Sequence, residues 1–250
     1  EVSIDPPQAQ LKTLINLYKQ GQLQQTLNSA KQLLSQFPNS LILCDIQGAT
    51  NAALGQFDAA IDSYKQSLKI KPDCADAYNN MGNALQNKGE LEVAIESYKK
   101  ALKIKPNSAE SYNNMGNALQ GKGDLQAAID SYKKALNIQP DYAGAYNNMG
   151  NALKDKGDLE AALDSYKKAL KIKPDYAEAY NNMGVVLKNK GDFEASIDSF
   201  TKALKIKPDY AETYYNMGNA LYDQGDLAAA IDGFKQAIKI TPGYAEAYNS

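Results

Sequence analysis

Pairs of asparagine recur along this chain: Asn79-Asn80, Asn113-Asn114, Asn147-Asn148 and Asn181-Asn182, with Tyr215-Asn216 in the same register. A third amide follows three residues on, at Asn83, Asn117, Asn151 and Asn219. A side-chain amide carries a donor group and an acceptor group, as a peptide bond does. A row of them therefore suits an extended backbone and asks little of its sequence. That is binding chemistry rather than bond-breaking chemistry. Groups that break bonds are scarce here. The chain has no histidine, which removes the commonest general base and the commonest metal ligand. All 27 basic residues are lysine, so bidentate arginine recognition of phosphate, carboxylate or guanine is absent. Cys44 and Cys74 form neither a CxxC nor a metal-ligand pattern and read as two free thiols in a reducing compartment. Carboxylates such as Glu178 and Glu212 recur once per period, which reads as capping or a solvated wall rather than an acid/base pair. No catalytic residue, no metal and no cofactor is expected.

A net charge of −2 gives no electrostatic case for nucleic acid or for acidic membranes. No apolar run approaches the roughly 18–20 residues of a membrane span, and no signal peptide is visible. The expectation is a cytoplasmic protein without membrane insertion; because the chain starts at Glu1, a targeting segment could have been removed.

The elements that must position the amides follow from a period. Prolines stand at Pro38, Pro72, Pro106, Pro140, Pro174, Pro208 and Pro242, each 34 residues after the last. With each repeat numbered so that this proline is position 32, repeats cover 7–40, 41–74, 75–108, 109–142, 143–176, 177–210 and 211–244, with a further opening at 245–250. The whole of 1–250 reads as one array. Each unit reads as two helices. The first spans positions 1–14, with its N-cap supplied by position 33 of the preceding repeat (Asp73, Asn107, Asp141, Asp175, Asp209). Glycine at 15 ends it, an acid at 16 opens the second helix, and the proline closes that helix. The second helix is apolar at 17, 20, 21, 24, 27 and 28, spacings that share one helical face. The first carries Tyr, Met, Gly and Leu at 4, 7, 8 and 11, within roughly a 100° arc. Tyrosines at 4 and 24 are expected in the core. The glycine at 8 costs about 1 kcal/mol of helix propensity, which close helix packing would explain.

Tyr-x-x-Met-Gly-x-x-Leu, then Ala-x-x-x-Tyr, then Pro at a 34-residue period resembles the tetratricopeptide repeat, with five strong copies over 75–244. The second repeat departs from the pattern at Cys44 and Gln47, and the first at Gln10, Thr13 and Leu14. The resemblance implies an all-α fold, a right-handed superhelical solenoid of antiparallel helix pairs. First helices would line its concave face, in a groove long enough for about 20 residues of extended chain. It also implies function: a scaffold for protein–protein interaction that binds a protein or extended peptide. In bacteria, similar near-identical arrays precede glycosyltransferase or sulfotransferase domains, so the alternative is the recruiting arm of such an enzyme.

Positions 2, 5, 6, 9, 12 and 13 fall in a sector of roughly 120° opposite the apolar arc, which assigns the groove. The expected peptide-binding residues are therefore Asn79, Asn80, Asn83, Asn113, Asn114, Asn117, Asn147, Asn148, Asn151, Asn181, Asn182, Tyr215, Asn216 and Asn219. Position 6 resembles the asparagine ladder of the O-linked N-acetylglucosamine transferases; the competing reading is asparagine as ordinary repeat consensus. Members that grip chaperone C-termini use basic residues at 5 and 13. Asn87, Gly121, Asp155, Asn189 and Asp223 occupy position 13 here, so chaperone tails are not expected. Gln10 and Thr13 read as polar marks of an N-terminal end. At the other end, Leu227, Ile231 and Phe234 would be left exposed if no further repeat followed, predicting end-to-end self-association at high concentration.

Overall fold

Glycine, the acid after it and the recurring proline punctuate the chain into helices as local propensity requires. The computed structural model describes residues 4–242. Among these it shows fourteen α-helices and no strand: α1 Gln8–Lys19, α2 Leu23–Gln36, α3 Leu41–Ala53, α4 Phe57–Ile70, α5 Ala75–Lys88, α6 Leu91–Ile104, α7 Ala109–Lys122, α8 Leu125–Ile138, α9 Ala143–Asp155, α10 Leu159–Ile172, α11 Ala177–Asn189, α12 Phe193–Ile206, α13 Ala211–Gln224 and α14 Leu227–Ile240. The expected opening of a further repeat at 245–250 lies outside the described residues.

Helix ends follow chemistry. Gly89, Gly123, Gly157, Gly191 and Gly225 all adopt positive φ between helices, the left-handed turn that only glycine makes without strain. Asp158, Asp192 and Asp226 cap the following helices, each accepting a hydrogen bond from the backbone N–H three residues on, at Ala161, Ala195 and Ala229. The N-cap of the first helices differs from expectation. It is position 34, not 33: Cys74, Ser108, Tyr142, Tyr176 and Tyr210. Where that residue is serine, at Ser40 and Ser108, its hydroxyl accepts from Leu43 and Ser111 N–H. At Tyr142 and Tyr210 the acid one residue earlier instead supplies its backbone carbonyl to the N–H of Ala143 and Ala211. Proline two residues before the cap leaves room for only a short turn, which pushes the helix start on by one residue.

The chain forms two compact units, Glu1–Ala127 and Ala128–Ser250, with the division inside α8. In the first unit, α3 packs with α4 and α5 with α6 as helix hairpins, and α4 and α6 pack in turn on α5 and α7. First helices also meet directly, α3 with α5 and α5 with α7. The second unit repeats this: hairpins α9–α10, α11–α12 and α13–α14, with α9 meeting α11 and α11 meeting α13. Within each unit, these first helices of neighbouring repeats are thus side by side and present a shared first-helix face.

The centre of the hairpins α3–α4, α5–α6, α9–α10, α11–α12 and α13–α14 is one ring against one glycine. Tyr98, Tyr166 and Phe200, at position 24, are fully buried. A Cβ added at Gly82, Gly150 or Gly184 would lie within 2.5–2.6 Å of their ring edges. Glycine at position 8 is therefore where a second helix drives an aromatic ring against the backbone of the first. Ala60, Ala94 and Ala162 at position 20 are equally buried and keep the helices close. Between repeats, Ile61, Ile95 and Leu163 at position 21 are buried as well. The tyrosines at position 4 are only half-buried. The lysine at position 26 lies over the ring at Tyr78 and Tyr146, 5.6 and 5.8 Å from the centroid. The core expectation therefore holds fully for position 24 and in part for position 4.

Near the ends, Gln10 and Thr13 are exposed, where interior repeats carry tyrosine and methionine. Leu227 and Ile231 are 56% and 51% exposed, but Phe234, expected to be exposed with them, is 7% exposed. Its ring fills the position-24 slot against Gly218 and meets Tyr215 at 5.7 Å, so it belongs to the hairpin core. Cys44 and Cys74 are free thiols. Burial, with Asp45 adding to it, raises the Cys44 pKa, which keeps that thiol protonated and unreactive.

Candidate peptide-binding surface

The asparagines sort into three roles that their identical lettering hides. Position 5 is structural. Asn79, Asn113 and Asn147 are each 6% exposed and Asn181 is 1% exposed. The Asn79 amide donates to Glu110 Oε1 at 3.2 Å, and its Oδ1 accepts from Ser111 Oγ at 3.0 Å and Asn114 Nδ2 at 3.4 Å. Asn181 repeats the motif one unit on, donating to Glu212 Oε1 at 3.3 Å and accepting from Thr213 Oγ1 at 3.0 Å and Asn216 Nδ2 at 3.1 Å. A buried amide must satisfy both ends, and here it does so by joining α5 to α7 in the first unit and α11 to α13 in the second. The expectation that position 5 faces the groove is thus corrected: a first helix packed between two like helices covers part of the sector that a lone helix would expose. Tyr215 takes this position in the last repeat and lies against Phe234.

Position 9 is partly structural. Asn83 Oδ1 accepts from the hydroxyl of buried Tyr98 and Asn151 Oδ1 from that of Tyr166, both at 2.7 Å. Burial raises the pKa of both tyrosines, so they remain donors throughout the physiological range. Val185 replaces asparagine in the repeat whose buried ring is Phe200, which has no hydroxyl to satisfy. Asn117 lies half-buried at the same position, and Asn219 keeps its amide without a partner among the described residues.

Position 6 is displayed. Asn80, Asn114, Asn148, Asn182 and Asn216 are half-buried on the first-helix face. One amide hydrogen of Asn114, Asn182 and Asn216 is spent on the preceding repeat's position-5 oxygen, as in Asn182 Nδ2 to Asn147 Oδ1 at 3.1 Å. At Asn182 and Asn216 the oxygen and the second hydrogen have no partner among the described residues. The arrangement tethers each amide at one end and, at Asn182 and Asn216, leaves donor and acceptor capacity over. At the edge, Lys188 pairs with Asp223 of the next repeat at 3.2 Å. Such exposed pairs contribute little.

The ladder changes in the first repeats, where the sequence reading placed no site residue. Asp45 occupies position 5, Ile46 position 6 and Ala49 position 9. Asp45 accepts from Ser67 Oγ at 2.6 Å. Burial raises its pKa and the nearby Asp76 carboxylate adds to the rise, while Ser67 offsets part of it. Because the folded-state pKa lies above the unfolded one, ionised Asp45 costs stability at neutral pH, and that cost disappears as pH falls through the folded-state pKa. Asp45→Asn restores the amide of the other repeats and should stabilise the chain by about 1 kcal/mol at pH 7, a gain comparable to one net hydrogen bond. Urea unfolding should show that gain shrinking towards pH 3. Two adjoining recesses, of about 300 and 240 Å³, open beside Asp45, and both are lined by Tyr18, Ala49 and Asn80. The legible signal was alanine at positions 9 and 12, Ala49 and Ala52, opposite a position-24 tyrosine, Tyr64.

Comparison with known proteins assigns the class. TPR-repeat family matches cover residues 50–89, 150–191, 186–225 and 218–250, and further tetratricopeptide-repeat matches cover 73–141 and 131–164. The chain belongs to the tetratricopeptide repeat family. Among solved structures it is similar to MamA, at 30% identity over 69% of this chain and 94% of that one, with a TM-score of 0.59. It is also similar to YrrB, described as a TPR protein with an unusual peptide-binding site, at 25% identity over 76% of this chain and 98% of that one, with a TM-score of 0.58. The fold is shared with the Cut9-Hcn1 tetramer of the APC/C at a TM-score of 0.76, with 18% identity over 94% of this chain and 47% of that one. No curated protein sequence gives a significant match. Among the described residues no helix is long and apolar enough to cross a membrane.

Proposed function

We propose that this chain is a binding scaffold that holds an extended peptide or protein segment along its first-helix face, with the position-6 amides as the backbone-reading groups. The unit of recognition is the 34-residue repeat as delimited above. One observation carries the reading: the Asn182 and Asn216 amides are half-buried, are each tethered by a single hydrogen bond, and have an oxygen and a second hydrogen without a partner among the described residues. Tethering lowers the ordering cost of binding. First helices pack roughly 9–10 Å apart, so an extended peptide would meet one amide about every three residues. In this role position 6 works like the asparagine ladder that the sequence resembles in O-linked N-acetylglucosamine transferases. The similarity to YrrB, a protein described by its peptide-binding site, supports the same class of function.

Substituting Asn80, Asn114, Asn148 and Asn182 together by alanine separates binding from folding. At Asn114 and Asn182 the change removes one hydrogen bond to the preceding repeat, about 1 kcal/mol each, and every change regains roughly 0.5 kcal/mol of helix propensity. The expected result is a helical array of nearly unchanged urea midpoint that no longer retains peptide partners in pull-down. Retention of those partners by the folded variant would refute the ladder.

A further inference from the structure

The larger of the two adjoining recesses arises from two missing amides. In the hairpin α5–α6, the buried Tyr98 hydroxyl hydrogen-bonds to Asn83 at 2.7 Å and to Gln86 at 3.0 Å. In the hairpin α3–α4, alanine stands at both corresponding positions, Ala49 and Ala52. Tyr64 is as deeply buried, at 3% exposure, yet its hydroxyl has no hydrogen-bond partner among the described residues, and the residue lines the larger recess. A hydroxyl on a buried side chain that borders a cavity and bonds to no protein group is available to a ligand group.

The surrounding chemistry specifies that group. Ile46 and Ala49 supply an apolar lining that suits a methylene stem. The half-exposed ring of Tyr18 stands at the wall common to both recesses, where a cation gains from its π face. Asp45 closes the smaller recess with a carboxylate that no lysine pairs among the described residues, and Asp76 lies close enough to add to the negative potential there. Asn80, the first rung of the amide row, lines both recesses.

We propose that these adjoining recesses, which share Tyr18, Ala49 and Asn80 on α1, α3 and α5, together form a specificity pocket for one lysine or arginine side chain of the bound peptide. The stem lies on Ile46 and Ala49, the cation lies between the Asp45 carboxylate and the Tyr18 ring, and the Tyr64 hydroxyl donates to the peptide. The pocket sets the register, and the amides that follow hold the flanking backbone. This rests on the peptide-binding reading above and adds to it the charge of the partner.

The test uses the 250-residue chain and two capped 12-residue alternating serine–alanine peptides, one with a central lysine and one with a central norleucine. Backbone amide signals are followed by NMR titration. The expected result is that the lysine peptide shifts Ala49, Ala52 and Asn80 with a dissociation constant about tenfold below that of the norleucine peptide. Asp45→Asn should bring that ratio to about one, since its amide still accepts from Ser67 but carries no charge. Ala49→Asn, which copies the Asn83 arrangement, should abolish the shifts around the recess, and unchanged far-ultraviolet circular dichroism shows both variants folded. Equal binding of the two peptides, or shifts at Asn114 without any at Ala49, would overturn the pocket and leave the ladder standing. Shifts at Ala49 without any at Asn114 would keep the pocket and remove the ladder. No shift with either peptide would overturn both.

Discussion

Tyr166→Ala is expected to destabilise the second unit by about 3–5 kcal/mol, the cost of emptying a fully packed aromatic site. The ring of Tyr166 is fully buried, lies against Gly150 and shares an apolar cluster with Ala162, Leu163 and Val186. Its hydroxyl donates to Asn151, which the substitution would leave without that partner. Neighbouring helices cannot collapse into the gap, because the small residues at Gly150 and Ala162 already set their closest approach. Equilibrium urea unfolding, followed by circular dichroism, should show a lower midpoint or an early separate transition of the affected repeats. The half-buried Tyr146, at position 4 of the same repeat, should cost less when truncated. An unchanged transition for Tyr166→Ala would mean that the hairpin is not held by its ring.

Gly150→Ala should also destabilise, by roughly 2 kcal/mol, although alanine is the better helix former by about 1 kcal/mol. The new Cβ would lie 2.5 Å from Tyr166 Cε1 and 2.9 Å from Cζ, distances that atoms do not tolerate, and a ring buried on every side has nowhere to move. Gly121→Ala is the matched control. That glycine is also helical, but its added Cβ meets only the two methyl carbons of Leu91, Cδ1 at 3.3 Å and Cδ2 at 3.8 Å, the flexible end of a side chain. It should be neutral or stabilising by up to about 1 kcal/mol. If both substitutions stabilised alike, helix propensity rather than ring contact would account for the glycine at position 8. Combining Gly150→Ala with Tyr166→Leu should cost less than the sum of the single changes, because the smaller side chain relieves the clash.

Much of this was legible in the letters because repetition averages out noise. The 34-residue proline spacing, the glycine at 15 and the acid at 16 located the helices, and the alternation of 3 and 4 along the second helix located Tyr98 and Tyr166 in the core. What was not legible depended on neighbours in space. The 100° arithmetic treats a helix as a lone cylinder and so assigned Asn79 and Asn181 to the open sector. The adjoining first helix closes over them and makes them inter-repeat bonds. The same limit applies to Asn83 and Asn151, whose partner, a tyrosine fifteen residues on, is visible only once the hairpin closes. Phe234 was misplaced because exposure at an end was assigned to a whole helix face, whereas its own hairpin already buries the ring. The role of Asp45 is not legible in the letters, since it stands at a position-5 site whose neighbours only the fold brings together. Its meaning emerges from the recess beside Tyr64.

The binding reading comes down to which amides meet a ligand. Side-chain Nδ2 resonances of asparagine are resolved by NMR, so a capped extended peptide can be titrated against the chain while individual rungs are watched. The displayed amides of Asn114, Asn182 and Asn216 should shift saturably, whereas those of Asn79 and Asn181, locked between helices, should move little. Shifts confined to the second helices, or shifts at Asn79 and Asn181 without any at position 6, would contradict the first-helix face as the binding surface.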